Sequence, residues 1–94
     1  MPSFALMCFD NPGGLALRVT TREAHLAYLD GFGGQVVYGG PLLDAQDQAC
    51  GSLIVVEMES LADAEAFSAS DPYRLAGLFE RVEIRGLRPI LGRA

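Results

Sequence analysis

Between Cys50 and Met58 the chain carries Leu53-Ile54-Val55-Val56, a run with no polar residue in it. In an extended strand successive side chains point to opposite faces, so this segment is apolar front and back. Phe4 to Phe9 repeats the property, with Phe4, Leu6 and Cys8 pointing one way and Ala5, Met7 and Phe9 the other. A sheet that leaves one face in water alternates apolar with polar residues instead. Both faces of these strands therefore need cover, and 94 residues must supply it. A chain of that length is expected to form one domain, 1–94, and buries only about 60–65% of its unfolded surface. With 50% of its residues hydrophobic, it has more apolar surface than so thin a core can hide.

The remaining pattern gives an element order. Asp10-Asn11-Pro12-Gly13-Gly14 breaks the first strand, and Leu15 to Val19 reads as a connecting segment. Thr20-Thr21-Arg22-Glu23 has the form of a capping box and predicts a helix through His25 to about Phe32, ended by Gly33-Gly34. Leu26 and Leu29 mark its apolar stripe. Gln35 to Leu43 reads as a second strand whose ladder is expected to fail at Gly39-Gly40-Pro41. A polar loop, Asp44 to Gln48, leads into the Cys50–Met58 strand. Ser60 and Asp63 mark a second helix start, with Leu61, Ala64 and Phe67 on its buried side. Ser70-Asp71-Pro72 opens a further helical turn that carries to Phe79, with Asp71 as cap and Pro72 at the first helical position. Glu80 to Leu87 is a last strand, Val82 and Ile84 on one face and Arg81, Glu83 and Arg85 on the other.

Strand, helix, strand, strand, helix, strand is the α+β, ferredoxin-like βαββαβ order: a four-stranded antiparallel sheet with helices on one face. The helices cover one face only. A second copy, packed sheet to sheet about a two-fold axis, is the predicted cover for the other, so a homodimer is expected.

Charge and composition narrow the function classes. A net charge of -5 repels phosphate backbones and anionic lipid surfaces, which speaks against nucleic-acid and membrane partners. The N-terminus has neither a basic region nor a long apolar run, so a cytoplasmic protein is expected. Cys8 and Cys50 sit apart in apolar runs and read as two buried thiols. One histidine without clustered carboxylates or thiols does not make a metal site, and Gly31-Phe32-Gly33-Gly34 ends a helix where a phosphate cradle would open one. The expected protein works with a small-molecule ligand and without metal or cofactor.

His25 is the only histidine. It reads either as a structural residue beside an apolar stripe or as a proton carrier. Asp71 reads as a helix cap, and a carboxylate has lone pairs enough to cap and to hold an imidazole as well. Both helices lie on one side of the predicted sheet, which lets the two side chains meet there. A carboxylate beside an imidazole sets its tautomer and makes it a better proton acceptor. Gly39, Gly40 and Pro41 either bring backbone close to a ligand or form a bulge. Ser52 either lines the cleft or bonds to backbone. Arg22 and Arg18 are candidates for an anionic substrate, or solvated surface arginines. Tyr73 is core or cavity wall.

Taken together, Arg22-Glu23-Ala24-His25-Leu26-Ala27-Tyr28-Leu29, Gly39-Gly40-Pro41-Leu42, Gly51-Ser52 and Ser70-Asp71-Pro72-Tyr73 with Ala76-Gly77 resemble the YciI-like (YCII-related) family. The motifs are in the family's order and span nearly the whole chain. The resemblance implies a dimeric α/β barrel and an active site holding a histidine and an aspartate, here His25 and Asp71 by motif position. It also implies a fold like that of muconolactone isomerases. One branch of the family acts as a dehydrochlorinase on a chlorinated hydroxyhydroquinone, using such a pair. The loop from Asp44 to Ala49 is shorter than the family pattern, so substrate class does not transfer.

Two functions stay open on these grounds, beside a structural dimer that has lost any activity. One is a cofactor-independent enzyme of isomerase, lyase or dehydrochlorinase type, with His25 as general acid or base, Asp71 orienting it, and a small aromatic or lactone substrate. The alternative is a non-catalytic small-molecule-binding or accessory dimer.

Overall fold

Alternation and turn residues are realised as four strands and three helices. The computed structural model describes residues 1–92. In chain order they are β1 (Ser3–Asp10), α1 (Leu15–Asp30), a single 3-10 turn (Gly33–Gln35), β2 (Val36–Leu43), β3 (Ala49–Glu57), α2 (Leu61–Ala69), α3 (Pro72–Leu75) and β4 (Phe79–Leu87). The strands form one antiparallel sheet in the order β2-β3-β1-β4. This is the ferredoxin-like α+β fold: each helical crossover joins two strands that flank a third.

Register assigns the faces, because directly paired residues share one. Phe4 pairs with Val56, and Leu6 pairs with Ile54 and Ile84. Phe4, Leu6, Cys8, Ile54 and Val56 are buried together with Met58, Ala64 and Phe67, which fixes their side as the one the helices cover. Burying each large aliphatic side chain there contributes roughly 1.5–3 kcal/mol. The other parity places Ala5, Met7, Phe9, Leu53 and Val55 on the open side. Only Val55 of these is fully buried, and its β2 partner Tyr38 stands 60% exposed. On β4, Val82 and Ile84 pack against the core while Arg81 and Arg85 are exposed.

Four local expectations are corrected. Helix α1 starts at Leu15, so Leu15 to Val19 is helix and not a connector. Thr20 is interior, and its hydroxyl donates to the Ala16 carbonyl at 2.9 Å. The cause is tertiary. An added Cβ on Gly14 would meet Leu78 Cδ1 at 2.9 Å and the Asn11 carbonyl at 3.0 Å, and the close turn this glycine permits lets the chain enter the helix at once. Arg18 then ties the first helical turn to Asp10 at the end of β1. Second, the β2–β3 ladder runs regularly through Gly39, Gly40 and Pro41; the register shifts lie at Val36/Tyr38 and Leu42/Leu43. β2 is an edge strand, where a proline removes no obligatory ladder bond. Third, Cys8 is buried but Cys50 is exposed. The further turn after Asp71 also ends earlier than expected, at Leu75, with Gly77 in the left-handed region. The helix starts at Ser60 and Asp71 are found as expected: Ser60 accepts from the Asp63 amide at 3.2 Å and Asp71 from the Tyr73 amide at 2.9 Å.

Tyr28, Leu29 and Phe32 near the C-terminal end of α1 pack on the core, and the Tyr28 hydroxyl donates to the Phe67 carbonyl at 2.8 Å. Between one face of α1 and the strands β2 and β3 lies a cavity.

Candidate active site

The cavity encloses about 390 Å³, within the roughly 300–1,000 Å³ range of small-molecule sites. One wall is the α1 stripe Leu15, Val19, Arg22, Leu26 and Leu29, spaced four and three residues apart along one helix face. Facing it are Val36, Gly39, Gly40 and Pro41 of β2 and Ala49, Ser52 and Ile54 of β3. Arg18, His25 and Tyr73 complete the lining. Gly39 has a structural reason to be glycine. A Cβ there would come within 2.7 Å of the Leu53 carbonyl oxygen, so the close approach of β2 to β3 excludes a side chain.

His25 lies in the third turn of α1, 6% exposed, and Asp71 lies at the start of α3, 2% exposed. His25 Nδ1 and Asp71 Oδ1 are 2.8 Å apart. The same Oδ1 caps α3 by accepting from the Tyr73 amide. One carboxylate thus fixes both the helix start and the imidazole. The ring of Tyr73, two residues on, stacks on His25 with centroids 3.9 Å apart and planes 17° off parallel. With Nδ1 committed to Asp71, the ring presents Nε2 as its remaining polar atom, and His25 lines the cavity.

Arg18 is the buried cation of the site, 5% exposed. Its Nε donates to Asp10 Oδ2 and its Nη2 to Asp10 Oδ1, both at 2.8 Å, and Nη2 also donates to Ser52 Oγ at 3.0 Å. Its Cζ is 4.7 Å from the centroid of the Tyr73 ring. Burial disfavours the charged guanidinium, but the hydrogen bond and charge of Asp10 outweigh this and hold its pKa above the ordinary value; the neighbouring Tyr73 phenol acts in the same direction. Removing one partner of such a buried pair costs about 3–5 kcal/mol, because the other charge is stranded. Burial also raises the Tyr73 phenol, against the opposing charges of Arg18 and Arg22 and the hydrogen bonding of Arg18. Behind the site, burial and then the charge of Asp71 push the Cys8 thiol up to about 12.

Every candidate named from the sequence lies here. His25, Arg22, Gly39, Gly40, Pro41, Ser52 and Tyr73 line the cavity, and Asp71 holds His25 from behind. Arg18, read as a possible solvated surface arginine, is instead buried. Its partner Asp10, read as a turn residue, was missed. The signal was present in the seven-residue spacing of Arg18 and His25, two helical turns and one face, but it is readable only if the helix starts before Thr20.

Residues 3–88 match the YCII-related domain family. The chain is 30% identical over 95 residues to Protein YciI of Escherichia coli, covering 93% of this chain and 97% of that one. Among solved structures it is similar to 5-chloro-2-hydroxyhydroquinone dehydrochlorinase (TftG) of Burkholderia phenoliruptrix, in complex with 2,5-dihydroxybenzoquinone. That match has a TM-score of 0.86 and 32% identity, and covers 92% of this chain and 93% of the other. A protein of Agrobacterium tumefaciens shares the fold at 17% identity, with a TM-score of 0.58 and 96% and 94% of the two chains covered. The matched span, the shared identity and the common backbone agree: this chain belongs to the YCII-related domain family.

Proposed function

We propose that this protein is a small enzyme in which His25 moves a proton and Asp71 orients it, acting on a compact planar substrate in the α1–β2–β3 cavity. The observation that carries this reading is the 2.8 Å contact between His25 Nδ1 and Asp71 Oδ1 beside a cavity that His25 lines. A buried carboxylate on Nδ1 keeps the proton there in the neutral ring and leaves the Nε2 lone pair to act as base. The mostly apolar lining suits a ring, and the polar groups at one end suit its oxygens. Similarity to a dehydrochlorinase over nine-tenths of both chains supports an elimination as the first reaction to assay.

In that reaction a substrate C–H or O–H proton passes to Nε2. With the ring in the keto tautomer, in which the carbon bearing the leaving group is tetrahedral, the bonding pair left by that proton forms the new double bond and the leaving group departs with its own pair. The protonated His25 then releases the proton to solvent. Reversal of the transfer at another ring atom gives an isomerisation from the same machinery. Arg22, at the rim of the cavity, is positioned to receive an anionic substituent. We further infer a cytoplasmic homodimer closed over the open sheet face, supported by the apolar residues on that side.

The test is chloride release from 5-chloro-2-hydroxyhydroquinone and related halogenated hydroquinones. His25→Ala is expected to lower turnover by about 10²–10⁴-fold, the size of a lost general acid–base group. Asp71→Asn keeps a helix-capping side chain and is expected to lower turnover while leaving thermal stability nearly unchanged. Full activity in His25→Ala would remove His25 from the chemistry, and binding without turnover in the wild type would leave a ligand-binding protein instead.

A further inference from the structure

We propose that Arg18 is a second functional group of the cavity. Its Nη1 is a fixed hydrogen-bond donor for a substrate oxygen that gains negative charge as His25 removes a proton, so the site selects rings carrying an ionisable hydroxyl or a carbonyl. This rests on the reading of His25 above and names the substrate class it serves.

Guanidinium has five N–H donors. Nε–H and both Nη2–H groups of Arg18 are taken by Asp10 and Ser52. The two on Nη1 have no hydrogen-bond partner among the described residues. Yet no side-chain nitrogen or oxygen among those residues is sealed from solvent without a partner. Nη1 is therefore open, and the space that Arg18 lines is the cavity. The Tyr73 hydroxyl, whose charge and hydrogen bonding act on Arg18, belongs to a ring that contacts both Arg18 and His25. Donor and base are thus linked through one aromatic ring.

Rigidity is what makes such a donor effective. Asp10 grips the guanidinium through two parallel bonds and Ser52 through a third, so no reorganisation is needed when charge develops. Asp10 also neutralises the positive charge of Arg18. The pair therefore offers directed N–H groups more than net charge, which favours an enolate or phenolate oxygen over an arbitrary anion. Asp10 and Ser52 are positioning residues in this scheme.

Arg18→Lys tests it. A lysine ammonium can still pair with Asp10 and preserve the buried charge, but it cannot also reach the cavity with a second nitrogen. The probes are para-nitrophenolate and its neutral isostere para-nitroanisole, titrated against the native protein. Wild type is expected to bind the phenolate more tightly. Arg18→Lys is expected to lose that preference by ~10-fold, as for one charge-assisted hydrogen bond, with anisole binding unchanged. An intact preference in a folded Arg18→Lys overturns the proposal, as does the absence of any preference in the wild type.

If the lysine variant does not fold, the wild type decides by nitrogen-15 NMR of its arginine side chains. The Arg18 Nη1 protons shift with phenolate and not with anisole, and no shift overturns the assignment. Neither probe is turned over, so these results stand apart from the turnover test of His25. Phenolate preference without turnover keeps Arg18 and loses the enzyme reading; His25-dependent turnover with an indifferent Arg18→Lys does the reverse.

Discussion

A single carboxylate oxygen, Asp71 Oδ1, is asked to do two things here: cap α3 and hold His25. That double use is why Asp71→Asn is a cleaner test than Asp71→Ala, which would remove the cap as well and cost ~1 kcal/mol for that reason alone. The two cysteines show the same dependence on position. Cys8 and Cys50 look alike in sequence, yet one faces the core of β1 and the other is exposed at the entry to β3. A thiol reacts as its thiolate. Burial and the charge of Asp71 hold Cys8 near 12, so it stays protonated in mild alkali. Native protein treated with iodoacetamide at about pH 9, near the ordinary thiol range, is expected to take up one equivalent, at Cys50. Mass spectrometry after unfolding should then show the second site reacting. Modification of Cys8 in the native state would contradict the burial of the site's rear wall.

At the level of elements, the decisive contact is between β2 and β3. A side chain at Gly39 would strike the Leu53 carbonyl, a backbone atom that has little room to retreat, whereas a Cβ on Gly40 meets nothing within 4 Å. Gly39→Ala is therefore expected to destabilise the fold by about 1–3 kcal/mol, the usual cost of overpacking, and Gly40→Ala by much less. Paired urea melts resolve the difference, and equal costs would mean the strands are not pressed together here. Helix α1 makes the complementary point. The capping-box signal at Thr20 was real in composition but lost to Gly14 and to the Arg18–Asp10 pair, which draw the helix start back onto the end of β1. Those additional turns bring Arg18 onto the cavity wall.

For the whole molecule, the open sheet face is the feature most in need of a partner. Ala5, Met7, Phe9 and Leu53 lie there beside the exposed Tyr38, and β4 borders them with Arg81, Glu83 and Arg85. The exposed ion pairs of Glu83 with Arg81 and Arg85 add at most ~1 kcal/mol each. They make a polar margin to an apolar field, as at ordinary subunit interfaces. Light scattering is expected to give twice the 10.0 kDa chain mass. Leu53→Lys, which sets a charge in the middle of that field beside Met7, should shift the mass toward one chain while leaving the His25–Asp71 contact, on the opposite face, in place. A one-chain mass for the wild type at micromolar concentration would remove the dimer and leave the apolar face unexplained.

Residue order alone was enough to predict the βαββαβ succession, the double-sided apolar strands and the two side chains that meet at the site. Period-two and helical patterns, glycine and proline breaks, and short motifs around His25 and Asp71 are all local, and they survive folding because nothing distant opposes them. What emerged only when the chain closed on itself was anything decided by contacts between distant residues. The start of α1, the unbroken ladder through Gly39-Gly40-Pro41, the exposure of Cys50 and the burial of Arg18 each depend on a neighbour far along the chain. Arg18 shows the reason most plainly. A guanidinium is costly to bury and reads as surface until Asp10 and Ser52 are brought round it, and only the folded sheet places those two at its side.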